Sequence, residues 1–301
     1  MKTLLSVIRR NLKLFFKDKG MFFSSLITPI ILLVLYATFL AKVYRDSFVS
    51  AMPDGFSLSD KLLNGTVTGQ LVSALLAVSC VTVSFCANLL MIQDKANGSI
   101  RDFTVSPVKK SILAAGYYLS SAASTLIVTF SALAVCFVYL AAKGWYLSVA
   151  DVILVIIDVF LLTLFGTALS SCINFFLNTN GQASAVGTII SAGYGFICGA
   201  YMPISNFGPA LQKVLSFLPG TYGTCLLKNH MLRGAFEEME NSGMPAEFMK
   251  EIKDSVDFNL YFFGSRVPII VMFAVLAGSV VLFTGLFILL HKLKGNARKQ
   301  A

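Results

Sequence analysis

Residues 67–92 read VTGQLVSALLAVSCVTVSFCANLLMI, 26 residues without one charged side chain. They are followed at once by the polar stretch 93–110, QDKANGSIRDFTVSPVKK, and then by a second apolar run, Ser111–Ala142. A helix needs about 20 apolar residues to cross a hydrocarbon core. Runs this long and unbroken do not fit barrel strands, which are roughly ten alternating residues each. With no water to hydrogen-bond the backbone inside a bilayer, helix is the form that such runs take. Four more runs have the same character: Met21–Ala41, Val152–Leu177, Ala183–Ile204 and Val267–Leu290. Hydrophobic residues make up 56% of the 301 and charged residues only 13%, with a mean hydropathy of +0.77. That composition belongs to the membrane class. The expected fold is an all-α integral membrane protein with six transmembrane helices.

Lys and Arg set the expected orientation, because they concentrate in cytoplasmic segments. Six lie before the first run (Lys2, Arg9, Arg10, Lys13, Lys17, Lys19), four in the 93–110 loop (Lys95, Arg101, Lys109, Lys110) and four in the C-terminal tail (Lys292, Lys294, Arg298, Lys299). Only Asp18, Asp94 and Asp102 oppose them on that side. Both termini and the 93–110 loop are therefore expected in the cytoplasm. The net charge of +9 reads as a basic fringe attracted to anionic lipid headgroups, not as a nucleic-acid footprint.

Residues 1–20 form their own unit. Leu4, Leu5, Ile8, Leu12, Phe15 and Phe16 share one helical face, with most of the cations elsewhere. This predicts a cytoplasmic amphipathic interfacial helix leading into a six-span domain over 21–301. On the opposite side, the loop over 205–266 is long. Within it Ser205–Gly220 predicts a re-entrant or interfacial helix, too short to span, and Pro245–Val256 predicts a small water-facing amphipathic helix. Five of six cysteines lie in spans and only Cys225 lies outside, so no external disulfide pair exists, and no Cys-x-x-Cys metal spacing appears.

Three features stand out within the spans. Ala183, Gly187, Ser191, Gly195 and Gly199 recur every four residues, a small-residue stripe that permits close helix approach. It serves either packing within the chain or a dimer seam through Gly187, Ser191, Gly195 and Gly199. Asp158 lies inside the fourth run, where an ionised carboxylate is costly and must face the bundle or a watered cavity. No basic residue in the other spans offers it a partner, so it reads as a neutral structural group or as part of a substrate or proton path. Pro29 predicts a kink in the first span. Elsewhere there is no Gly-x-x-x-x-Gly-Lys-Ser/Thr phosphate loop, no His-Glu-x-x-His and no soluble segment large enough for a catalytic domain.

In this order the parts resemble the membrane (permease) subunit of type-2 ABC exporters, including bacterial drug and antibiotic exporters, over nearly the whole chain. The basic amphipathic N-terminal helix is one mark. Gly98 and Ser106-Pro107-Val108-Lys109 are similar to the family's Gly…Ser/Thr-Pro-Val-basic loop, and Leu218-Pro219-Gly220-Thr221-Tyr222 to its re-entrant Leu-Pro-x-Thr-Tyr. Asp94-Lys95 departs from it, since the family shows Glu beside a basic residue there. The resemblance implies two permease subunits, a second copy of this chain or a related one, working with two separate ATP-hydrolysing subunits. ATP and magnesium would sit in those partners, with no cofactor in this chain. It also implies that the 93–110 loop carries a coupling helix held by the ATPase, and that the fifth span lies at the subunit seam.

Read from its own residues, that loop has Asn97-Gly98 and Pro107 bracketing a short segment, Ser99–Val105. There Gly98, Ile100, Arg101, Phe103 and Pro107 are the candidate coupling residues. The expected function is the transmembrane subunit of an exporter moving an amphipathic or hydrophobic substrate (drug, antimicrobial peptide or lipid-like) across a bacterial plasma membrane, not an enzyme by itself. The rival readings are an ion-driven secondary transporter with Asp158 as proton carrier, and a receptor-like sensor using the outer loop.

Overall fold

Apolar runs and their caps set the helices one by one. In the computed structural model, which describes residues 2–52, 58–105 and 108–297, the chain opens with α1 (Lys2–Lys17). The Asp18 carboxylate accepts a hydrogen bond from Met21 N at 3.1 Å and so caps α2 (Lys19–Leu35). Pro29 sits buried inside α2 without ending it. The chain then passes through a five-residue π-helical turn, Tyr36–Leu40, into α3 (Ala41–Ala51). Ser59 caps α4 (Asp60–Ala96), and α5 (Ser99–Val105) and α6 (Lys110–Lys143) follow. Reciprocal capping boxes open the next two helices, Ser148 with Asp151 for α7 (Val149–Phe176) and Thr179 with Gln182 for α8 (Asn180–Ile197).

Five stretches are long and apolar enough to cross a membrane: Lys19–Ser50, Asp60–Ala96, Ser111–Lys143, Val149–Phe176 and Ile269–Leu293. The sixth expected run, Ala183–Ile204, gives only the 18-residue α8, which stops at Ile197. Gly199 is the reason. Its φ of 74° lies in the left-handed region, and the N–H groups of Ala200 and Tyr201 both turn back to donate to Gly195 O at 2.9 and 3.0 Å. Gly199 therefore terminates the helix and is not a member of the small-residue stripe on it.

The segment 205–266 departs furthest from its sequence reading. Ser205–Gly220 is not one helix: α9 (Pro209–Leu215) ends at Ser216, and a new helix, α10 (Pro219–Asn241), starts with proline at its first position. Nothing in the hydropathy marked α10, because Lys228, Asn229, His230 and Arg233 dilute its apolar residues. Yet Leu226, Leu227, Lys228, Leu232 and Met239 are fully buried. α11 (Ala246–Ser255) forms where the amphipathic pattern predicted it, with Met249 and Ile252 inward. A two-residue hairpin, β1 (Tyr261–Phe262) with β2 (Ser265–Arg266), leads into α12 (Ile269–Ala297).

α4 is the axis of the bundle. It packs against α2, α6, α7, α8 and α10, and Leu76, Ala77, Val78, Cys80, Val81 and Val83 are fully buried along it. α7 approaches it closely, and a Cβ added at Gly166 would stand 2.9 Å from Cys80 O and 3.0 Å from Val81 Cα. Those contacts are backbone and cannot yield. Gly166→Val is accordingly expected to cost about 1–3 kcal/mol by overpacking. The check is the unfolding midpoint of detergent-solubilised protein, set against Gly278→Ala, where nothing lies within 4 Å.

Candidate functional site

The stretch 93–110 begins as the last turn of α4, and the two charged residues of that turn, Asp94 and Lys95, reach in different directions. Asp94 is buried and accepts three hydrogen bonds: from Arg10 Nη1 at 2.6 Å, from Arg10 Nη2 at 3.1 Å and from Tyr117 Oη at 2.5 Å. Lys95 Nζ donates to the carbonyls of Asn174, Phe175 and Leu177 at 3.0, 2.9 and 2.8 Å. These are end carbonyls of α7, where a cation meets both orphan acceptors and the negative end of the helix dipole. One side of the α4 terminus is thus clamped to α1 and α6, the other to α7. Lys95→Met should lower stability by about 2 kcal/mol, since hydrogen bonds from a charged group are worth roughly 1.5–3 kcal/mol. Thermal unfolding of this variant against Lys95→Arg, which keeps the charge, is the measurement.

Gly98 makes the next turn possible. With φ of 78° and its N–H donating to Lys95 O at 3.3 Å, it reverses the chain between α4 and α5. α5 covers the residues that the sequence bracketed, Ser99–Val105. Ile100 and Phe103 are half-buried, and Val105 is 85% exposed. Arg101 is helical in backbone, and its side chain, like Pro107 as a whole, lies outside the described residues. The Arg10 guanidinium stands over the Phe103 ring, 5.1 Å from its centroid, a cation–π contact that the planar group suits. Its hydrogen bond to Asp94 raises the Arg10 pKa above the ordinary guanidinium value. A second contact holds α1 in place, Asn11 Nδ2 donating to Ser120 Oγ at 3.2 Å. The amphipathic helix is therefore bolted to the base of the polar loop. No periodicity in the chain pairs Arg10 with a residue 84 positions on.

A second polar cluster surrounds α10. Asp158 has a basic partner after all: His230 Nδ1 lies 2.6 Å from its Oδ2, with both side chains almost fully buried. That partner lies in α10, within the segment 205–266 and outside the apolar runs. Arg233 pairs with Asp151 at 2.6 Å, one helical turn further along. Lys228, with no exposed surface, donates to Gly199 O at 2.8 Å and to Asp257 Oδ2 at 3.3 Å. Asp257 also accepts from Ile204 N at 2.6 Å. The polar side chains Lys228, His230 and Arg233 of α10 each meet an acid or carbonyl, as burial of polar groups requires.

The four proposed seam residues separate in space. Gly187 and Ser191 are half-buried on α8, and open space surrounds Gly187. Gly195 is covered by the Tyr201 ring of its own chain, and Gly199 makes the turn described above.

The family described as ABC-2 type transporter matches residues 2–231. The chain belongs to that family. This ABC-2 type transporter chain is a multi-pass membrane protein and a transmembrane component of an ABC transporter, not itself the catalytic part. The match takes in α1, Arg10, Asp94, α5, Asp158 and His230, and ends within α10. No curated protein matches the chain significantly.

Proposed function

We propose that this chain is the permease subunit of a type-2 ABC exporter, driven by a separate ATPase subunit that grips α5. The observation that carries the reading is the clamp at the base of α5. Asp94 and Lys95 tie the end of the axial helix α4 to α1, α6 and α7, and Arg10 reaches on to Phe103. A push on α5 is then delivered to four helices at once, whereas a loosely tethered loop would absorb it. ATP binding elsewhere shifts a two-state bundle only through such differential contacts. Arg101, Ile100 and Phe103 would meet the ATPase, with Gly98 and Pro107 fixing the ends of the segment.

In this reading α8 is the sixth span, α9 and α10 form the re-entrant segment, and α1 is interfacial. Both termini face the cytoplasm of a bacterial cell. A second permease subunit would pack on the open part of the stripe, Gly187 and Ser191. The apolar spans suit an amphipathic or hydrophobic substrate, with Asp158 a candidate contact on its path. The ion-driven alternative has less support, because Asp158 is engaged by His230 and family membership favours ATP as the energy source.

The test is Phe103→Asp, co-purified with a candidate ATPase subunit. Loss of a central aromatic anchor typically costs 2 kcal/mol or more, about thirtyfold in affinity. Recovery of ATPase with the variant should fall accordingly, and undiminished association with transport-coupled hydrolysis would sink the coupling role.

A further inference from the structure

Between α2 and α6 the surface is not flat but opens into a groove of about 360 Å³, floored by Leu75 of α4. Phe22, Leu26 and Leu33 form one wall, and Ile127, Ala132 and Val135 the other. Its geometry has a local cause. α2 rests on α4 and α6 rests on α4, while α2 and α6 barely touch. Pro29, which cannot donate a helical hydrogen bond, lines the groove, and the π-helical turn Tyr36–Leu40 follows it. The one hydroxyl in the lining, Ser131 Oγ, already donates to Ile127 O at 2.7 Å. Nothing in the walls is left to orient a polar ligand, so the groove suits hydrocarbon.

The end of the groove at Phe16 is different. Lys13, Lys17 and Lys19 stand exposed within one helical turn of Phe16. Among the described residues no acid forms an ion pair with them, and Asp18, between Lys17 and Lys19 in the chain, serves as the cap of α2. An apolar slot running into the bilayer from a cluster of lysines has the form of a phospholipid: chain along the slot, negative headgroup at the lysines. We propose that the α2–α6 groove is a binding site for one acyl chain of an anionic phospholipid, its headgroup held by Lys17 and Lys19 in the leaflet on the α1 side. The site is separate from α5 and does not depend on what the chain transports.

The experiment places the full chain in phosphatidylethanolamine–phosphatidylglycerol vesicles doped with a diazirine-tailed lipid bearing either a phosphatidylglycerol or a phosphatidylcholine headgroup. After irradiation, labelled peptides are mapped by mass spectrometry. Labelling is expected to concentrate on residues 26–33 and 127–135, with the anionic probe preferred. Lys17→Gln should reduce that preference about fivefold, a juxtamembrane lysine being worth roughly 1 kcal/mol. Ser131→Trp, an exposed position at the groove wall, should block the groove to both probes, while Val281→Trp on the exposed face of α12 should change neither. Labelling of the groove no stronger than that of α12 around Val281, or equal labelling by the two headgroups, would overturn the proposal. So would a groove signal unchanged in a Ser131→Trp protein whose melting temperature matches the parent.

Discussion

Asp257→Ala is expected to be among the most destabilising single changes in this protein, because it strands Lys228 as an unpaired ammonium in a site with no exposed surface. Removing one partner of a buried ion pair typically costs about 3–5 kcal/mol. The same change deprives Ile204 N of its acceptor at 2.6 Å and loosens the Gly199 turn that ends α8. Most of the variant should therefore elute as aggregate in fluorescence-detected size-exclusion chromatography. Lys228→Met combined with Asp257→Asn removes the charge while leaving a carbonyl acceptor for Ile204, and it should recover most of the monodisperse peak. If the single and double variants behave alike, the pair contributes no more than packing.

The second large effect concerns coupling. Asp94→Ala removes the acceptor of three hydrogen bonds and leaves the Arg10 guanidinium and the Tyr117 hydroxyl without their shared partner. Breaking such a half-buried, bidentate contact is worth about 2–3 kcal/mol. The consequence falls on α1 and α5 more than on the bundle, whose axis is held independently by the α4, α7 and α10 core. Transport and transport-linked hydrolysis are expected to fall about tenfold or more, while the yield of folded protein changes little. Arg10→Lys keeps the charge but loses the two-pronged donor and the flat face over Phe103, so it should show an intermediate loss. A collapse in folded yield equal to the loss of transport would instead make Asp94 a purely structural anchor.

How much of this was legible in the sequence differs element by element, for physical reasons. Long apolar runs such as 67–92 and 111–142 announce themselves because a bilayer leaves no other use for them. The segment 99–105 was equally plain, bracketed by Asn97-Gly98 and Pro107. α10 was hidden because its polar side chains find partners far away in the chain: Lys228 meets Asp257, His230 meets Asp158 and Arg233 meets Asp151. Hydropathy counts a buried, paired lysine as though it faced water. The end of α8 is hard to place from sequence because Cys198, Gly199 and Ala200 continue an apolar pattern, whereas Gly199 breaks the helix through its backbone. The Arg10–Asp94 contact links helices 84 residues apart, and periodicity says nothing about which cation on α1 faces inward.

If α5 receives the stroke from an ATPase subunit, as proposed, a cross-link from that helix detects the contact. Val105 is 85% exposed at the end of α5. With the native Cys86 replaced by serine, and the other cysteines left buried, Val105→Cys supplies one accessible thiol on that helix. In membranes containing the ATPase subunit, a short bis-maleimide should join this cysteine to an engineered cysteine in the ATPase, with a yield that changes between ATP-bound and nucleotide-free states. A thiol at Val281 on α12 should give no such product. A complex that assembles and transports, yet yields no cross-link from Val105 in either state, would contradict the account.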